Sequence, residues 1–466
     1  MKTKRRTVNL RESQAGAEMV RQPQPIRRVE QRAAGLDVGA KEIAACVSDG
    51  EGNQIVRVFG TYTRALHELA DWLTQHGVVS VAMESTGVYW IPIFELLETR
   101  GLGCHLISSA DIHRHPGRKS DVLDCQWIQT LHAHGLLADS FRPEADLIAL
   151  RTLLRHRAQL IEHRSPHIQH IQKALTQMNI QLKQALSDVT GETGLAIIRA
   201  IVAGERDPRK LAALRNYRCK KDEAEIAEAL TGTWREEHLF VLKQSLEMYD
   251  FYTRQIEQCD AEIERMYEGI RPQDEEEALP PLSKPSETHS KNAPVNAENL
   301  RKHLYRIAGV DLLEIPGVSV SVAQTLLAEV GSDLHQFKDA KHFCSWLGLS
   351  PHNQITGGKV IASHRLKNHN RAGQALIHAA ASNIRARTQF GAFYRRLKGR
   401  LGESQALIAT AHKLARVVYV LLKEKQPYQG LSEREYEEKF RQREMNSLQR
   451  RAARLGLSLV PAGAVS

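Results

Sequence analysis

The chain has 466 residues, of which 42% are hydrophobic, so it can bury the cores of more than one domain. Its net charge of +10 favours a polyanionic partner. The six cysteines form no CxxC pair, which argues against a zinc ribbon or a disulfide framework, and no apolar run reaches the roughly 18 residues of a membrane span. We therefore expect reduced thiols, a cytoplasmic location and no membrane attachment.

Residues 1–32 are predicted to be a basic, disordered arm. Nine lysines and arginines stand against three glutamates in residues 1–34, and no apolar core follows them as it would in a signal peptide. The arm is expected either to touch phosphates or to remain solvated.

Residues 33–144 are predicted to form an α/β domain. Short apolar or alternating runs mark the strands, and apolar residues at helical spacing mark the helices. The order is three strands, helix, strand, helix, strand and helix, at 33–38, 42–48, 54–59, 63–76, 78–83, 89–100, 103–107 and 121–134. This is the order of a ribonuclease H-like fold.

Four acids fall where these strands end or these helices begin. Asp37 lies on the first strand in GLDVG, and Glu84 ends the fourth in AMESTG. Asp121 and Asp124, in KSDVLDC, are three residues apart and so share one helix face. Singly, each acid is better explained by a structural role: Glu84 as a charge at a helix N-terminus and Asp121 as an N-cap, and the Asp-x-Gly of GLDVG also opens actin-like ATPase domains. Together they favour a site for hard divalent cations, and pairs of Mg²⁺ ions perform phosphoryl transfer.

Residues 145–270 are predicted to be helical. Apolar residues at helical spacing indicate two long helices, 145–190 and 220–270, which pair antiparallel or as a coiled coil for dimerisation or spacing. The arginines of the first helix are expected on a solvated face, with contact to nucleic acid as the alternative; they are Arg151, Arg155, Arg157 and Arg164. Residues 271–300 hold five of the chain's 16 prolines and are predicted to be a flexible linker.

Residues 301–430 are predicted to form a second, mainly helical domain, and residues 431–466 a charged helical tail. The segment from Ile315 to Ser319, IPGVS, is typical of a helix-hairpin-helix that binds DNA phosphates, although an ordinary turn between helices explains it equally well.

The stretch from Ala340 to Gly402 contains no acid but 11 lysines and arginines. Such one-sided charge predicts a nucleic-acid-binding face with strongly salt-dependent affinity. Phe390, Phe393 and Tyr394 interleave with these residues, but their helical spacing favours packing in a core. Within the stretch, Thr356 precedes two glycines and a lysine, an arrangement that lets backbone and phosphate approach closely but is also common in turns.

Taken together, these segments resemble the DEDD transposases of bacterial and archaeal insertion sequences, the bridge-RNA-guided recombinases. The resemblance extends from about Ala33 to Tyr428. Its motifs are GLDVG, AMESTGVYW, KSDVLDCQWI, IPGVSVSVAQTLLAEVG, WLGLSPHNQITGGKV, NRAGQAL, GAFYRRLKGRLG and ATAHKLARVVY. It implies a RuvC-like N-terminal domain, a coiled-coil insert and a C-terminal transposase domain.

The resemblance also implies residue roles. The four acids would be catalytic and would bind Mg²⁺, as two ions, and a serine in a Ser-Gly-Gly-Lys motif would be the nucleophile. Thr356 occupies that position here, and its extra methyl group restricts χ1 and crowds the attack. Nucleic acid is expected to contact Gly357, Gly358, Lys359, Arg365, Lys367, Arg371, Arg395, Arg396, Lys398 and Arg400.

The sequence therefore predicts a transposase or site-specific DNA recombinase. Its expected partners are the DNA of the element ends and target, a structured guide RNA, and further copies of itself in a dimer or tetramer. Two alternatives remain open. One is a metal-dependent junction nuclease that uses water as its nucleophile, and the other is a non-catalytic nucleic-acid-binding remnant.

Overall fold

The computed structural model describes residues 28–49, 53–85, 87–109, 121–142, 144–270, 291–364 and 370–460. The chain divides into two compact units, Met1–Arg142 and Pro143–Ser466. The first contains a mixed sheet with helices, and the second is mostly helical. This confirms the predicted combination of an α/β unit with a helical one. Of the predicted basic arm, residues 1–27 lie outside the described residues.

The first unit is built on a five-stranded sheet in the order β3-β2-β1-β4-β5. Its strands are β1 (Ala33–Val38), β2 (Glu42–Ser48), β3 (Gln54–Gly60), β4 (Ser80–Glu84) and β5 (Gly103–Ile107). The first three strands pair antiparallel, whereas β1, β4 and β5 run parallel. The predicted strands are thus confirmed to within two residues.

Helices cover both faces of this sheet, which explains why the central strands are apolar throughout. They are α1 (Thr63–Gln75), α2 (Trp90–Thr99) and α3 (Asp121–Ala133). Leu36 and Ile43 belong to the core that α1 and α2 share with the sheet. Ala44 and Cys46, which alternate with Ile43, pack instead with Cys125 of α3. Gly35 and Asp37, which alternate with Leu36 along β1, therefore face α3.

Two long helices dominate the start of the second unit, α4 (Ala145–Gln177) and α9 (Glu236–Gly269). They pack antiparallel, because Leu153 contacts Cys259 whereas His167 stacks on Tyr252. Of the two predicted arrangements, antiparallel pairing or a coiled coil, the structure has the antiparallel pairing. Four shorter helices lie between them: α5 (Leu182–Ala185), α6 (Glu192–Val202), α7 (Pro208–Ala212) and α8 (Glu223–Ala229).

The predicted lengths of the two long helices were wrong. The first ends at Gln177 because Asn179 adopts a left-handed conformation, with φ of 55°. The second is preceded by a break at Gly232, where a Cβ atom would lie 2.3 Å from the carbonyl oxygen of Met178. The chain must therefore leave helical geometry at both points to pack the short helices.

The prediction of a solvated arginine face on α4 was also wrong in part. Arg157 and Arg164 are buried. Arg157 forms an ion pair with Asp260 of α9, and Arg164 donates to the side chain of Asn292 at 2.7 Å. Both guanidinium groups bind elements distant in sequence and hold the helical region together, whereas Arg155 and Arg151 lie at a groove described below.

The rest of the second unit packs around one large core with α4 and α9. Its helices are α10 (Ala297–Ala308), α11 (Val320–Val330), α12 (Ala340–Trp346), α13 (Arg371–Ser382), α14 (Gln389–Leu401), α15 (Glu403–Glu424) and α16 (Glu433–Arg454). A hairpin of β6 (His352–Thr356) and β7 (Lys359–His364) stands between α12 and α13 in sequence. Of the segment predicted as a linker, residues 271–290 lie outside the described residues, and α10 begins within its last residues.

Within the described residues, α15 has the length and apolar composition of a membrane span, but half of its apolar window is buried. It packs through Leu414, Ala415 and Val418 into the core of the second unit. The burial identifies α15 as a core helix. Phe390 and Tyr394 of the neighbouring α14 are buried as well, which confirms their predicted packing role.

Candidate active site

Asp37 and Glu84 lie side by side at the carboxyl ends of β1 and β4. The parallel register pairs Leu36 with Met83, so the next residue on each strand is an acid. Adjacent strands are about 4.8 Å apart, and residues in register point to the same face. Both acids are half-buried, and Glu84 accepts a hydrogen bond from the hydroxyl of Ser109 at 2.5 Å. The sheet therefore brings together two acids that are 47 residues apart in sequence.

Gly35 allows α3 to pack directly on β1 beside these acids. A Cβ atom at Gly35 would lie 2.3 Å from the backbone nitrogen of Gln129 and 2.4 Å from the carbonyl oxygen of Cys125. No side chain fits that space, so the helix backbone touches the strand backbone. The close packing fixes the position of Asp124, the neighbour of Cys125, relative to Asp37, which lies two residues from Gly35 on the same face.

The electrostatics of Cys125 show that Asp37 is close to α3. A hydrogen bond with the Cys46 thiol lowers the pKa of Cys125, and burial and the Asp37 carboxylate act in the opposite direction. The same contact, together with burial, raises the pKa of Cys46. Both thiols are buried, and they form part of the packed contact between the sheet and α3.

The fourth acid, Asp121, begins α3, but its side chain lies outside the described residues. Among the described side chains, no group of three or more histidines, cysteines or acids is placed to hold a metal ion. Asp37, Glu84 and Asp124 are thus carried on elements that meet, without forming a three-ligand site by themselves. Their carboxylate oxygens are the donors that Mg²⁺ prefers.

Two glutamines that the sequence interpretation missed hold α3 in place. Gln54 of β3 donates to the side-chain oxygen of Gln129 at 2.8 Å and to the carbonyl oxygen of Gln126 at 3.0 Å. Gln129, which is buried, donates in turn to the carbonyl oxygen of Ala33. An amide at a buried position of an apolar helix was the available signal, because buried polar groups need partners.

Thr356 lies at the tip of the β6–β7 hairpin. It pairs with Lys359 across a two-residue turn in which Gly357 and Gly358 have φ of 56° and 76°. Positive φ at both positions is typical of a type I′ turn, which explains the two glycines independently of any ligand. A Cβ atom at either glycine would meet nothing within 4 Å, so the tip is open. Thr356 is exposed and belongs to the second unit, whereas the acids belong to the first.

The IPG turn before α11 is tightly packed. Gly317 has φ of 90°, and a Cβ atom there would lie 2.4 Å from the carbonyl oxygen of Ala379 in α13. Asn383 donates to the carbonyl oxygen of Pro316 at 2.7 Å. Close packing therefore explains why a glycine is needed at position 317. The helix-hairpin-helix role of this turn stays a prediction.

Several predicted nucleic-acid contacts are engaged within the second unit. Arg395 pairs with Glu433 of α16, and the guanidinium of Arg396 lies 3.6 Å from the ring centre of Phe440. Lys398 pairs with Glu403 at 2.5 Å. Arg371, Lys359 and Arg400 are exposed, whereas Arg365 and Lys367 lie outside the described residues. Substituting Arg395 or Arg396 would therefore disturb the packing of α16 as well as any contact with nucleic acid.

A second cation shares the aromatic cluster of Arg396. The ammonium of Lys413 lies 4.1 Å from the ring centre of Tyr436 and 4.7 Å from that of Phe393. Burial, followed by the charges of Arg396 and Arg443, lowers the pKa of Lys413 to about 8. The lysine is consequently held where its protonated form is disfavoured.

Sequence comparisons match segments in both units. Residues 34–180, which include the four acids, match a transposase family of the DEDD type, and residues 309–395, which include Thr356, match the IS116/IS110/IS902 transposase family. A family 20 transposase of Pseudomonas aeruginosa is 33% identical over 120 residues, which are 24% of this chain and 34% of that protein. A transposase of Sinorhizobium fredii is 31% identical over 127 residues, 25% of this chain and 32% of its own. The chain thus spans about a third of the length of these curated relatives.

Proposed function

The chain belongs to the IS116/IS110/IS902 family of transposases, and from that premise we propose that it cuts and rejoins DNA strands at the ends of an insertion sequence. The observation that carries this proposal is the register of β1 and β4, which aligns Asp37 with Glu84. Gly35 then brings α3 with Asp124 against the same face. Such an edge suits phosphoryl transfer because carboxylates can gather there around a phosphate and its cations.

We propose that the first unit has a ribonuclease H-like, RuvC-like fold. Its support is the strand order β3-β2-β1-β4-β5, with three antiparallel strands followed by two parallel ones. Residues 33–144 would be this domain, followed by a helical region at 145–270, a linker at 271–300, a transposase domain at 301–430 and a tail at 431–466. The basic arm would occupy residues 1–32.

The four acids are proposed to bind two Mg²⁺ ions. Asp37, Glu84, Asp121 and Asp124 would supply the oxygen ligands, and the hydrogen bond from Ser109 would orient the Glu84 carboxylate. When bound, the ions stabilise the charge that develops on a phosphate during displacement. Gln54 of β3 and Gln129 of α3, which hold the helix against the sheet, would keep the acids in place.

Thr356 is proposed to be the nucleophile. Its hydroxyl oxygen would attack the DNA phosphorus, its proton would leave to solvent or a base, and a phosphothreonine ester would form as the DNA phosphodiester breaks. The released DNA hydroxyl takes a proton. Attack by a second DNA hydroxyl then breaks the ester and restores Thr356, so no phosphoester is lost. The open Gly357–Gly358 turn would leave room for the phosphate, and Lys359, which pairs with Thr356 across the turn, would neutralise it.

The proposed partners are DNA of the element ends and target, a structured guide RNA and further copies of the chain in a dimer or tetramer. DNA follows from the transposase family. The guide RNA rests on the resemblance of the motifs to RNA-guided recombinases. The basic stretch at 340–402 supports nucleic acid in general. A cytoplasmic, nucleoid-associated location follows from this substrate.

A covalent-adduct assay tests the proposal. Full-length protein is incubated with the element's DNA ends, a transcribed RNA from the element and MgCl₂, and protein–DNA adducts are resolved on denaturing gels. The parent and Thr356→Ser should both form the adduct. Thr356→Ser should form it about tenfold to hundredfold faster, because the methyl group that crowds the attack is removed. Thr356→Val, nearly isosteric, should form none. Cut DNA with free ends and no adduct would indicate a water-using nuclease, and binding without cutting would indicate a remnant.

A further inference from the structure

A groove on the second unit lies between three helices, α4, α11 and α13. Its volume is about 200 Å³. The polar side chains that line it are Arg151, Arg155, Thr325, Glu329, Arg371, Gln374 and His378. On each helix the lining residues lie three, four or seven positions after the first of them, so each helix presents one face to the groove. Such a shape is concave and is lined by side chains that carry hydrogen-bond donors.

The charges in this groove do not balance. Among the described residues that line the groove, Glu329 is the one acid, and its side chain is 9% exposed. The carboxylate accepts two hydrogen bonds from Arg155, at 2.8 and 2.6 Å, and lies 3.8 Å from Arg151. The Glu329 carboxylate neutralises the guanidinium of Arg155, and the exposed Arg371 adds a further positive charge to the lining. The groove therefore keeps a positive charge even when His378 is neutral.

The hydrogen bonds to Glu329 also fix the geometry. A guanidinium has five N–H donors in a rigid plane, and Arg155 gives two of them to Glu329. The side chain is consequently preorganised, so that less conformational entropy is lost when an anion binds. Arg371, at the first turn of α13, is exposed beside it. Arginine suits phosphate because its planar donors match the phosphate oxygens.

We propose that this groove binds one backbone phosphate of DNA. The volume accommodates a phosphate group with a few waters, and it is too small for a base pair. DNA is favoured over RNA because the chain belongs to a transposase family, and Arg371 lies in the acid-free stretch 340–402. The inference rests on the proposed function, and it adds α4 and α11 to the DNA-binding surface.

The salt dependence of DNA binding tests the groove. Affinities of the full-length protein for a fluorescein-labelled 30-base-pair DNA, and for an RNA duplex of the same sequence, are measured by anisotropy at several NaCl concentrations. The variants are Arg371→Gln and the double variant with Arg151→Gln. Arg254→Gln on α9 is the control, since Arg254, like Arg371, is exposed but lies outside the groove. Melting temperatures confirm that all variants fold.

In this proposal Arg371 and Arg151 bind the same phosphate. Arg371→Gln should therefore lower the slope of log affinity against log salt by about one unit, and the double variant should lower it by no more than that. The control should leave the slope unchanged. A loss of about two units would indicate two independent surface contacts and overturn the proposal, as would no loss beyond the control or a loss on RNA alone. A loss on DNA supports it, whether or not RNA binding also falls.

The adduct assay on the same protein separates this inference from the proposed function. A parent that forms the Thr356 adduct while the groove variants keep the parental slope refutes only the groove. A parent that binds DNA through the groove without forming an adduct refutes the recombinase mechanism and leaves the groove as a binding site.

Discussion

Replacing Gly35 by alanine tests whether the packing of α3 on β1 builds the active site. The new Cβ atom would lie 2.3 Å from the backbone nitrogen of Gln129, whereas ordinary contact begins at 3.4 Å. The two nearest atoms, the nitrogen of Gln129 and the carbonyl oxygen of Cys125, belong to the backbone of α3, so the helix has to move by about 1 Å. Overpacking of this kind costs about 1–3 kcal/mol of unfolding free energy. A displacement of about 1 Å in the acids of α3 should slow adduct formation by about 100-fold.

Gly60→Ala is the matched control. Gly60 ends β3 in the same unit, and its added Cβ atom would meet the Cβ of Ala65 at 3.6 Å, an ordinary contact. Both variants are compared by urea unfolding, by the rate of covalent adduct formation and by the Mg²⁺ concentration that gives half the maximal rate. We expect Gly35→Ala to need more Mg²⁺, because Mg²⁺ tolerates little distortion of its ligands. If Gly35→Ala matches Gly60→Ala in rate and Mg²⁺ requirement, the packing does not position the acids and the reasoning is refuted.

Three further perturbations test other parts of the structure. Glu84→Gln should abolish adduct formation and leave the melting temperature unchanged, since Glu84 is half-buried at a strand end; retained activity would remove it from the site. Arg157→Ala should lower the free energy of unfolding by about 3–5 kcal/mol, measured in urea, because it leaves Asp260, whose side chain is 10% exposed, without its ion pair. Lys413 has a folded pKa of about 8, below its unfolded value, so the unfolded state binds more protons between these values and stability should rise with pH from about 8 to 10. Lys413→Met should flatten that rise, and an unchanged slope of stability against pH would show that Lys413 is not its source.

The sequence by itself determined the local elements and singled out the candidate site residues. The strands of the first unit were predictable because a strand buried on both faces has to be apolar along its length. Asp37 and Glu84 were recognisable because each interrupts such a run at its carboxyl end. The turn after Thr356 was also local, since two adjacent glycines supply the positive φ that a two-residue hairpin needs.

Only the tertiary structure decided which of these elements meet. The register of β1 with β4, and hence the pairing of the two acids, depends on hydrogen bonds between segments far apart in sequence. The close approach of α3 to β1 requires that Gly35 has no side chain, and the sequence shows this. The sequence does not show that the backbone of Gln129 packs against Gly35. A glycine in a strand has several explanations until its neighbours are known.

The surroundings of the charged side chains depended most on the tertiary structure. Arg155 and Arg157 stand two residues apart on one helix and look equivalent in sequence. Arg157 is buried against Asp260, which is 103 residues away, whereas Arg155 pairs with Glu329 at the edge of an open groove. The stability of a buried charge depends on whether a partner reaches it, and the partner is supplied by the fold. Helical periodicity places an arginine on a face of its helix, but only the packing of the other helices determines whether that face meets water, an acid or a groove.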